Sequence, residues 1–185
     1  MIKDSLRETE VRMNKTIESL EDDFRGLRTG RAAPALMERV MVNYYGAPTP
    51  LKQLAVISAP EPQMLVVRPY DPGSIGNIVK AILQADLGLN PSNDGHVIRI
   101  PVPRLTEERR RDLTKVVKRR VEEAKIALRN IRRDALEDMR SFENEKLISK
   151  DDLKRGQDEL QKLIKRFNEK ADAVGSRKEQ ELMAF

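Results

Sequence analysis

Arginine is the residue type whose spacing in this sequence most suggests chemistry. From Leu113 to Phe142 an apolar residue recurs about every 3.6 positions, which predicts one long helix. With Ile131 at the centre of the apolar side and about 100 degrees per residue, seven basic residues fall at roughly 100 to 200 degrees, opposite the core. They are Arg111, Lys115, Lys118, Lys125, Arg129, Arg132 and Arg133, and Arg140 extends the set. We call these eight residues the basic row.

The side-chain chemistry of the basic row favours a polyanion. A guanidinium offers a planar fork of donors to phosphate oxygens and also stacks on unpaired bases. The sequence shows neither a helix-turn-helix nor a zinc-finger pattern, and Tyr44, Tyr45 and Tyr70 are interpreted as core or turn residues. The row therefore predicts recognition of the shape and backbone of folded RNA rather than of its base edges.

A solvated helix face is the ordinary interpretation of a charge run. The distribution of charge argues against it here. The formal net charge is +5, and residues 104–140 hold 13 Lys and Arg against 8 Asp and Glu. The charges of the other segments nearly cancel, so this one segment carries the net excess.

The composition leaves little material for catalysis or metal binding. There is no cysteine and only one histidine, His96, which we interpret as a structural residue at the start of a strand. We expect no catalytic residue, no metal and no cofactor. No apolar run approaches the roughly 20 residues of a membrane span, and the first ten residues lack an apolar signal core. We therefore expect a cytoplasmic protein.

The positions of the prolines predict the elements that carry these residues. All ten lie between Pro34 and Pro103, which leaves both flanks free to form long helices. The first flank has an apolar stripe ending near Gly30, and the second spans about residues 105–146. A third helix begins at Ser149, where Asp152 completes a capping box. Three apolar stripes of similar length predict an antiparallel three-helix bundle.

The proline-containing middle predicts a small mixed domain. Strands are expected near residues 38–43, 54–57, 64–68 and 97–100, with a helix at 75–86 capped by Ser74 and ended by Gly88. The chain thus reads as an α+β protein, with residues 1–30 and 104–185 as the bundle and 31–103 as the insert. The two connections form a predicted hinge, whose residues are Thr29, Gly30, Ala32, Ala33, Pro34, Pro101, Val102, Pro103 and Arg104.

Five short motifs, in order along nearly the whole chain, resemble the ribosome recycling factor family. They are residues 27–32 (LRTGRA), 44–46 (YYG) with 49–51 (TPL), 86–91 (DLGLNP), 105–110 (LTEERR) and 129–135 (RNIRRDA).

The resemblance implies an L-shaped monomer with the bundle as one arm and the insert as the other. It implies binding to large-subunit ribosomal RNA, and splitting of the post-termination ribosome with elongation factor G and GTP, which frees mRNA and deacylated tRNA. The factor itself hydrolyses nothing and binds neither DNA nor membrane. The RNA-binding residues carried over are Arg28, Arg31, Arg110, Arg129, Arg132 and Arg133, with Arg132 the foremost. Leu136 departs from the family, which usually has a polar residue there.

Two other functions stay open from the residues alone. The bundle is also consistent with a non-ribosomal scaffold or chaperone whose charged face keeps it soluble. Phosphate binding predicts that the logarithm of the affinity falls with the logarithm of the salt concentration, with a slope of about 0.7 to 0.9 per contact. An affinity that does not change with salt favours the scaffold. A hydrolase that uses the insert would require His96.

Overall fold

The structure is a computed structural model that describes residues 1–27 and 29–184. The chain divides into two compact units, residues 1–27 with 107–185 and residues 28–106. We call them the helical unit and the insert. In chain order the elements are α1 (Ile2–Arg25), β1 (Met41–Tyr44), β2 (Ala47–Pro50), α2 (Leu51–Leu54), β3 (Ala55–Glu61), β4 (Met64–Pro69), α3 (Ile75–Gln84), β5 (Ser92–Asn93), β6 (Ile98–Pro101), α4 (Glu107–Asn144) and α5 (Lys150–Met183), with 3₁₀ turns at Pro34–Met37 and Pro72–Ser74.

The helical unit is an antiparallel three-helix bundle, as the apolar periodicity predicts. Ion pairs join Arg12 to Asp134 at 3.3 Å and Arg120 to Asp23 at 3.7 Å, so α1 and α4 run in opposite directions. Along α1 the side chains of Met13, Ile17, Leu20 and Phe24 are buried. Similar apolar stripes of α4 and α5 complete the core, with Phe167 fully enclosed.

Glycine allows α5 to lie very close to α4. A Cβ atom at Gly175 would lie 2.5 Å from Cγ2 of Val121, and one at Gly156 would lie 2.8 Å from Sδ of Met139. Because Val121 is β-branched and stiff, it has little freedom to move away. These two contacts fix the rotation of α4 about its own axis, and with it the side chains that α4 exposes.

The start of α5 confirms the predicted capping box. The amide of Asp152 donates to Oγ of Ser149 at 3.0 Å, and the amide of Ser149 donates to Oδ2 of Asp152 at 3.1 Å. The same backbone hydrogen bond holds the pKa of the Asp152 carboxyl below its usual value. The end of α1, by contrast, lies at Arg25 rather than near Gly30. Gly26 follows, and glycine is a poor helix former.

The insert contains a four-stranded antiparallel sheet with strand order β3-β4-β6-β5. Side chains alternate along the central strands, so Leu65, Val67, Ile98 and Ile100 all point into one core and are fully buried. Helix α3 contributes its own apolar face to that core. The strands β1 and β2 form a separate two-stranded antiparallel sheet. The predicted combination of a helical bundle and a small β domain is therefore confirmed.

Several local predictions for the insert are wrong. The strand expected at residues 38–43 is the shorter β1, because Pro34 begins a 3₁₀ turn before it. Strand β2 was not expected because it contains Pro48 and Pro50, yet a two-stranded ribbon tolerates proline along its open edge. Strand β5 was also missed, since its two residues carry no apolar alternation.

The ends of α3 also differ from prediction. Ser74 makes no capping hydrogen bond, because its hydroxyl donates to the carbonyl of Asp71 at 2.6 Å. The Asp71 carboxylate instead accepts from the amide of Gly73. The helix ends at Gln84 and Asp86 has φ of 51°, so the chain leaves the helix before Gly88. No helix of the described residues has both the length and the apolar character needed to cross a membrane.

Ser149→Ala tests the contribution of the cap. Loss of the hydroxyl leaves an amide of the first turn of α5 without its partner, so we expect the free energy of unfolding to fall by about 1 kcal/mol. Urea unfolding followed by helical circular dichroism measures this. Ser176→Ala is the control, because Ser176 is an exposed residue inside α5 and alanine favours a helix. Equal losses in the two variants would contradict the assignment.

Candidate RNA-binding surface

Arg129 and Arg133 lie one turn apart on α4 and each is more than half exposed. Arg129 donates to Oε1 of Glu122 at 3.0 Å. Arg133 lies 3.6 Å from Oδ1 of Asp134. Exposed ion pairs of this kind contribute roughly 0 to 1 kcal/mol to the free energy of folding. Both guanidinium groups are therefore able to exchange their carboxylate partners for phosphates.

Arg132 lies between these two in sequence and turns toward α5. Its Nη1 donates to Oε1 of Gln161 at 3.1 Å, and the residue is half-buried. The hydrogen bond orients the guanidinium, so less side-chain freedom remains to be lost when it binds a phosphate. We call Arg129, Arg132 and Arg133 the arginine cluster.

Asp134 brings a further arginine to the edge of the cluster. Its Oδ2 accepts from Arg12 of α1 at 3.3 Å, while its Oδ1 faces Arg133. One carboxylate thus lies between two guanidinium groups and balances only one of them. The sequence does not reveal Arg12 or Gln161 as members of this surface, because their positions depend on how three helices pack.

Arg110 lies far from the arginine cluster, near the start of α4. The separation along the helix is roughly 28 Å at 1.5 Å per residue. The residue is half-buried, and its Nε is buried with no hydrogen-bond partner among the described residues. A buried donor without a partner is an unfavourable arrangement, and because this atom is enclosed it is not itself open to a phosphate.

The structure corrects the expected course of the basic row. Arg111, Lys115, Lys118 and Arg140 are exposed as expected, but Lys125 is not. Its side chain is only 26% exposed, and its Nζ lies 2.6 Å from Oδ1 of Asp172 on α5. Leu136, expected amid the row, packs with Leu153 against the core. The projection failed there because α4 packs against both α1 and α5, which gives it a buried arc wider than one stripe.

One of the arginines carried over from the family lies outside the helical unit. Arg31 is exposed and belongs to the insert. Arg28 lies outside the described residues. The participation of all six arginines in RNA binding stays a prediction.

Some of the predicted hinge residues are hydrogen-bonded to the rest of the insert. The amide of Ala32 donates to the carbonyl of Pro62 at 2.7 Å, and that of Val102 donates to the carbonyl of Gln63 at 2.8 Å. Both connections are therefore attached to the same turn between β3 and β4. Pro34 begins a 3₁₀ turn and Pro101 ends β6. Thr29, Ala33, Pro103 and Arg104 lie outside the regular helices and strands. The hinge itself stays a prediction.

Gly30 has the most restricted conformation in these connections. Its φ is +73°, and a Cβ there would lie 2.9 Å from the backbone N of Leu105. A side chain would therefore meet both an unfavourable backbone angle and a clash with a neighbouring backbone atom.

The described residues contain no group of three histidine, cysteine or carboxylate side chains placed to hold a metal ion. His96 is exposed at a turn, where its backbone amide donates to the carboxylate of Asp94. Hydrogen bonds from the amides of Val97 and His96, together with Arg99, hold the pKa of Asp94 well below its usual range. The contacts of His96 belong to this turn.

Comparisons with known proteins cover nearly the entire chain. The family model described as ribosome recycling factor matches residues 20–183. The ribosome-recycling factor of Syntrophomonas wolfei is 55% identical, with 99% of each chain covered, and that of Chloroflexus aggregans is 53% identical over the full length of both.

Solved structures give the same result. A solution structure of ribosome recycling factor matches with a TM-score of 0.81 and 40% identity, over 100% of this chain and 98% of the other. The T. thermophilus factor, from models of it and E. coli elongation factor G bound to the E. coli post-termination complex, matches with a TM-score of 0.66 and 46% identity over 98% of each chain.

Glu122→Gln tests whether ion pairing restrains the arginine cluster. Removal of the carboxylate releases Arg129, so we expect affinity for a folded RNA hairpin to rise roughly twofold to fivefold at low salt. Fluorescence anisotropy of labelled RNA measures the change. Glu123→Gln is the matched control, because it adds the same charge but releases Arg119, which is not in the basic row. An equal increase in both variants would show that only net charge matters.

Proposed function

Because the chain belongs to the ribosome recycling factor family, we propose that it disassembles the post-termination ribosome into subunits. In this proposal it acts together with elongation factor G and GTP, and the reaction releases mRNA and deacylated tRNA. The chain is a cytoplasmic, monomeric binding factor in this role, and GTP hydrolysis belongs to the elongation factor. The binding of the T. thermophilus relative to a post-termination complex alongside elongation factor G supports these partners.

The arginine cluster is the observation that supports RNA binding in this proposal. It places three guanidinium groups within five residues of α4, and Gln161 orients the middle one. The carboxylates nearby form only exposed pairs, which phosphate oxygens replace at little loss. We assign the cluster to the phosphate backbone of large-subunit ribosomal RNA, which it reads by shape rather than by base edges.

The exposed lysines of the basic row have a different role in this proposal. Lys115 and Lys118 have no ion pair among the described residues and lie along α4 before the cluster. Lysine is a less directional phosphate partner than arginine. These lysines raise the rate of encounter with RNA through long-range attraction, which salt screens.

We propose that the helical unit is the anchor and the insert is the lever. Ala32 and Val102 are hydrogen-bonded and buried within the insert, so they move with it. In this proposal rotation is concentrated in residues 29–31 and 103–106, which leaves Ala32 and Val102 out of the hinge. Elongation factor G pushes the insert, while phosphate contacts hold the helical unit in place.

Arg132→Ala is the direct test of the anchor. We expect subunit splitting with elongation factor G and GTP, followed by light scattering, to slow more than tenfold. Loss of one phosphate contact also reduces the log-log salt slope of ribosome binding by about 1. The control is Arg155→Ala, since Arg155 is an exposed arginine of α5 outside the basic row. A normal splitting rate for Arg132→Ala would refute the anchor, and inactivity of the unchanged chain would refute the proposed function.

Gly30→Ala tests the lever. The positive φ of Gly30 and its closeness to Leu105 mean that alanine forces this connection into another conformation. We expect ribosome binding within about threefold of normal, since no RNA-binding arginine is removed, but slower splitting. Gly26→Ala is the matched control, because Gly26 has an ordinary φ of −75° and nothing closer than 3.5 Å to a new Cβ. If Gly30→Ala splits ribosomes as fast as Gly26→Ala, the lever is wrong.

A further inference from the structure

The turn between β1 and β2 carries a residue that the turn itself does not favour. Tyr45 and Gly46 connect the strands, and both have positive φ, 49° and 81°. Two positive angles at the centre of a two-residue hairpin are typical of a type I′ turn, which prefers Asn-Gly. A bulky residue with positive φ is a backbone outlier. Folding alone therefore does not explain the tyrosine.

Burial does not explain Tyr45 either. Its side chain is 86% exposed, the largest exposure among the large apolar and aromatic residues that lie open to solvent. Among the described residues its aromatic contact is with Tyr44, at 4.5 Å between ring centroids and an interplanar angle of 74°. An unfavourable backbone conformation that presents an aromatic ring to solvent indicates a binding role.

The two tyrosines border an open cavity of about 350 Å³. The cavity is lined by Asn43, Tyr44, Tyr45, Gly46, Asp71, Gly73, Ser74 and Asn77. Asp71 is the single charged residue of this lining, so the cavity has a negative charge. It contains no lysine or arginine to receive a phosphate.

Hydrogen bonds hold the carboxylate of Asp71 in place. Its Oδ1 accepts from the amide of Gly73 at 3.0 Å, and its Oδ2 accepts from the hydroxyl of Tyr44 at 3.4 Å. Partial burial and the nearby charge of Asp71 raise the pKa of Tyr44. Tyr44 thus keeps its proton at neutral pH and remains a donor. The Asp71 carboxylate and the Tyr44 ring thus have a defined arrangement before any ligand arrives.

A fixed carboxylate beside two aromatic rings is the environment that a cation prefers. The ring faces attract cations through their quadrupoles, and the carboxylate accepts charged hydrogen bonds. Arginine fits better than lysine because its plane stacks on a ring while its edge reaches the carboxylate. A nucleic acid fits poorly, because its phosphates would be repelled by Asp71.

We propose that Tyr44, Tyr45 and Asp71 form a binding site for an arginine side chain of a basic protein segment. The site lies in the insert and uses none of the residues assigned to RNA binding. Its existence does not depend on the role of the arginine cluster.

Nuclear magnetic resonance of the full-length, ¹⁵N-labelled chain tests this site. Three probes are titrated separately: a Gly-Arg-Gly peptide, the matched Gly-Glu-Gly peptide and a short oligouridylate. We expect the arginine peptide to shift the amide resonances of residues 43–46, Asp71, Gly73 and Ser74, and the other two probes to leave them unchanged. Absence of these shifts, or larger shifts with oligouridylate, overturns the proposal.

Two variants separate binding from folding. Asp71→Asn keeps an acceptor for the Gly73 amide but removes the charge, and Tyr45→Asn gives the turn its preferred Asn-Gly sequence. We expect each substitution to lower the affinity for the arginine peptide about tenfold. We expect the melting temperature of Tyr45→Asn to equal or exceed that of the unchanged chain. Tyr70→Asn is the control, because Tyr70 is 69% exposed but does not line the cavity. Unchanged affinity in Asp71→Asn or Tyr45→Asn overturns the proposal.

Discussion

The close packing of α4 against two partners at once is the constraint on which the helical unit depends. At about 1.5 Å per residue, this 38-residue helix is roughly 57 Å long, and neither α1 nor α5 alone covers its apolar side. The contact of Val121 with the surface of Gly175 leaves no room for α4 to rotate. A rotation of one residue would turn charged side chains into the core, where an unpaired charge is strongly unfavourable. The direction in which each arginine side chain of α4 points is therefore set by the packing of the opposite, apolar side of the helix against α1 and α5.

The ion pairs on this surface are weak because their charged groups are exposed to water. Some carboxylates on α4 form direct, exposed ion pairs with the basic row, as Glu107 does with Arg111 at 2.7 Å and Glu122 with Arg129 at 3.0 Å. Such pairs add little to the free energy of folding, but they reduce attraction to polyanions in general. A polyanion that places several phosphates at the right spacing gains all contacts together, whereas a flexible one gains only a few. The mixed charges thus favour a rigid polyanion with matching phosphate spacing over a flexible one.

Periodicity in the sequence predicts the long helices well, but it predicts the burial and contacts of their individual side chains less well. The stripes of α1, α4 and α5 and the cap at Ser149 follow from local patterns, because helix formation and capping are local. Strand β2 escapes prediction because its prolines are acceptable only when one edge stays open. Arg129 and Arg133 are exposed as a simple projection predicts. Lys125 and Leu136 are not, because their direction depends on α5. The Gln161 contact of Arg132 joins two helices, and no single-helix pattern contains it.

The insertion of one unit between α1 and α4 has a consequence for synthesis of the chain. Translation delivers residues from the N-terminus at about 5 to 20 per second, and domains generally fold as they emerge. The first helix must therefore wait until the insert and then α4 have been made before its core residues Met13, Ile17 and Phe24 are covered. The insert has its own core and is complete before either partner of α1 exists. During synthesis the nascent chain thus holds a folded domain next to an apolar stripe that stays uncovered until α4 has been made.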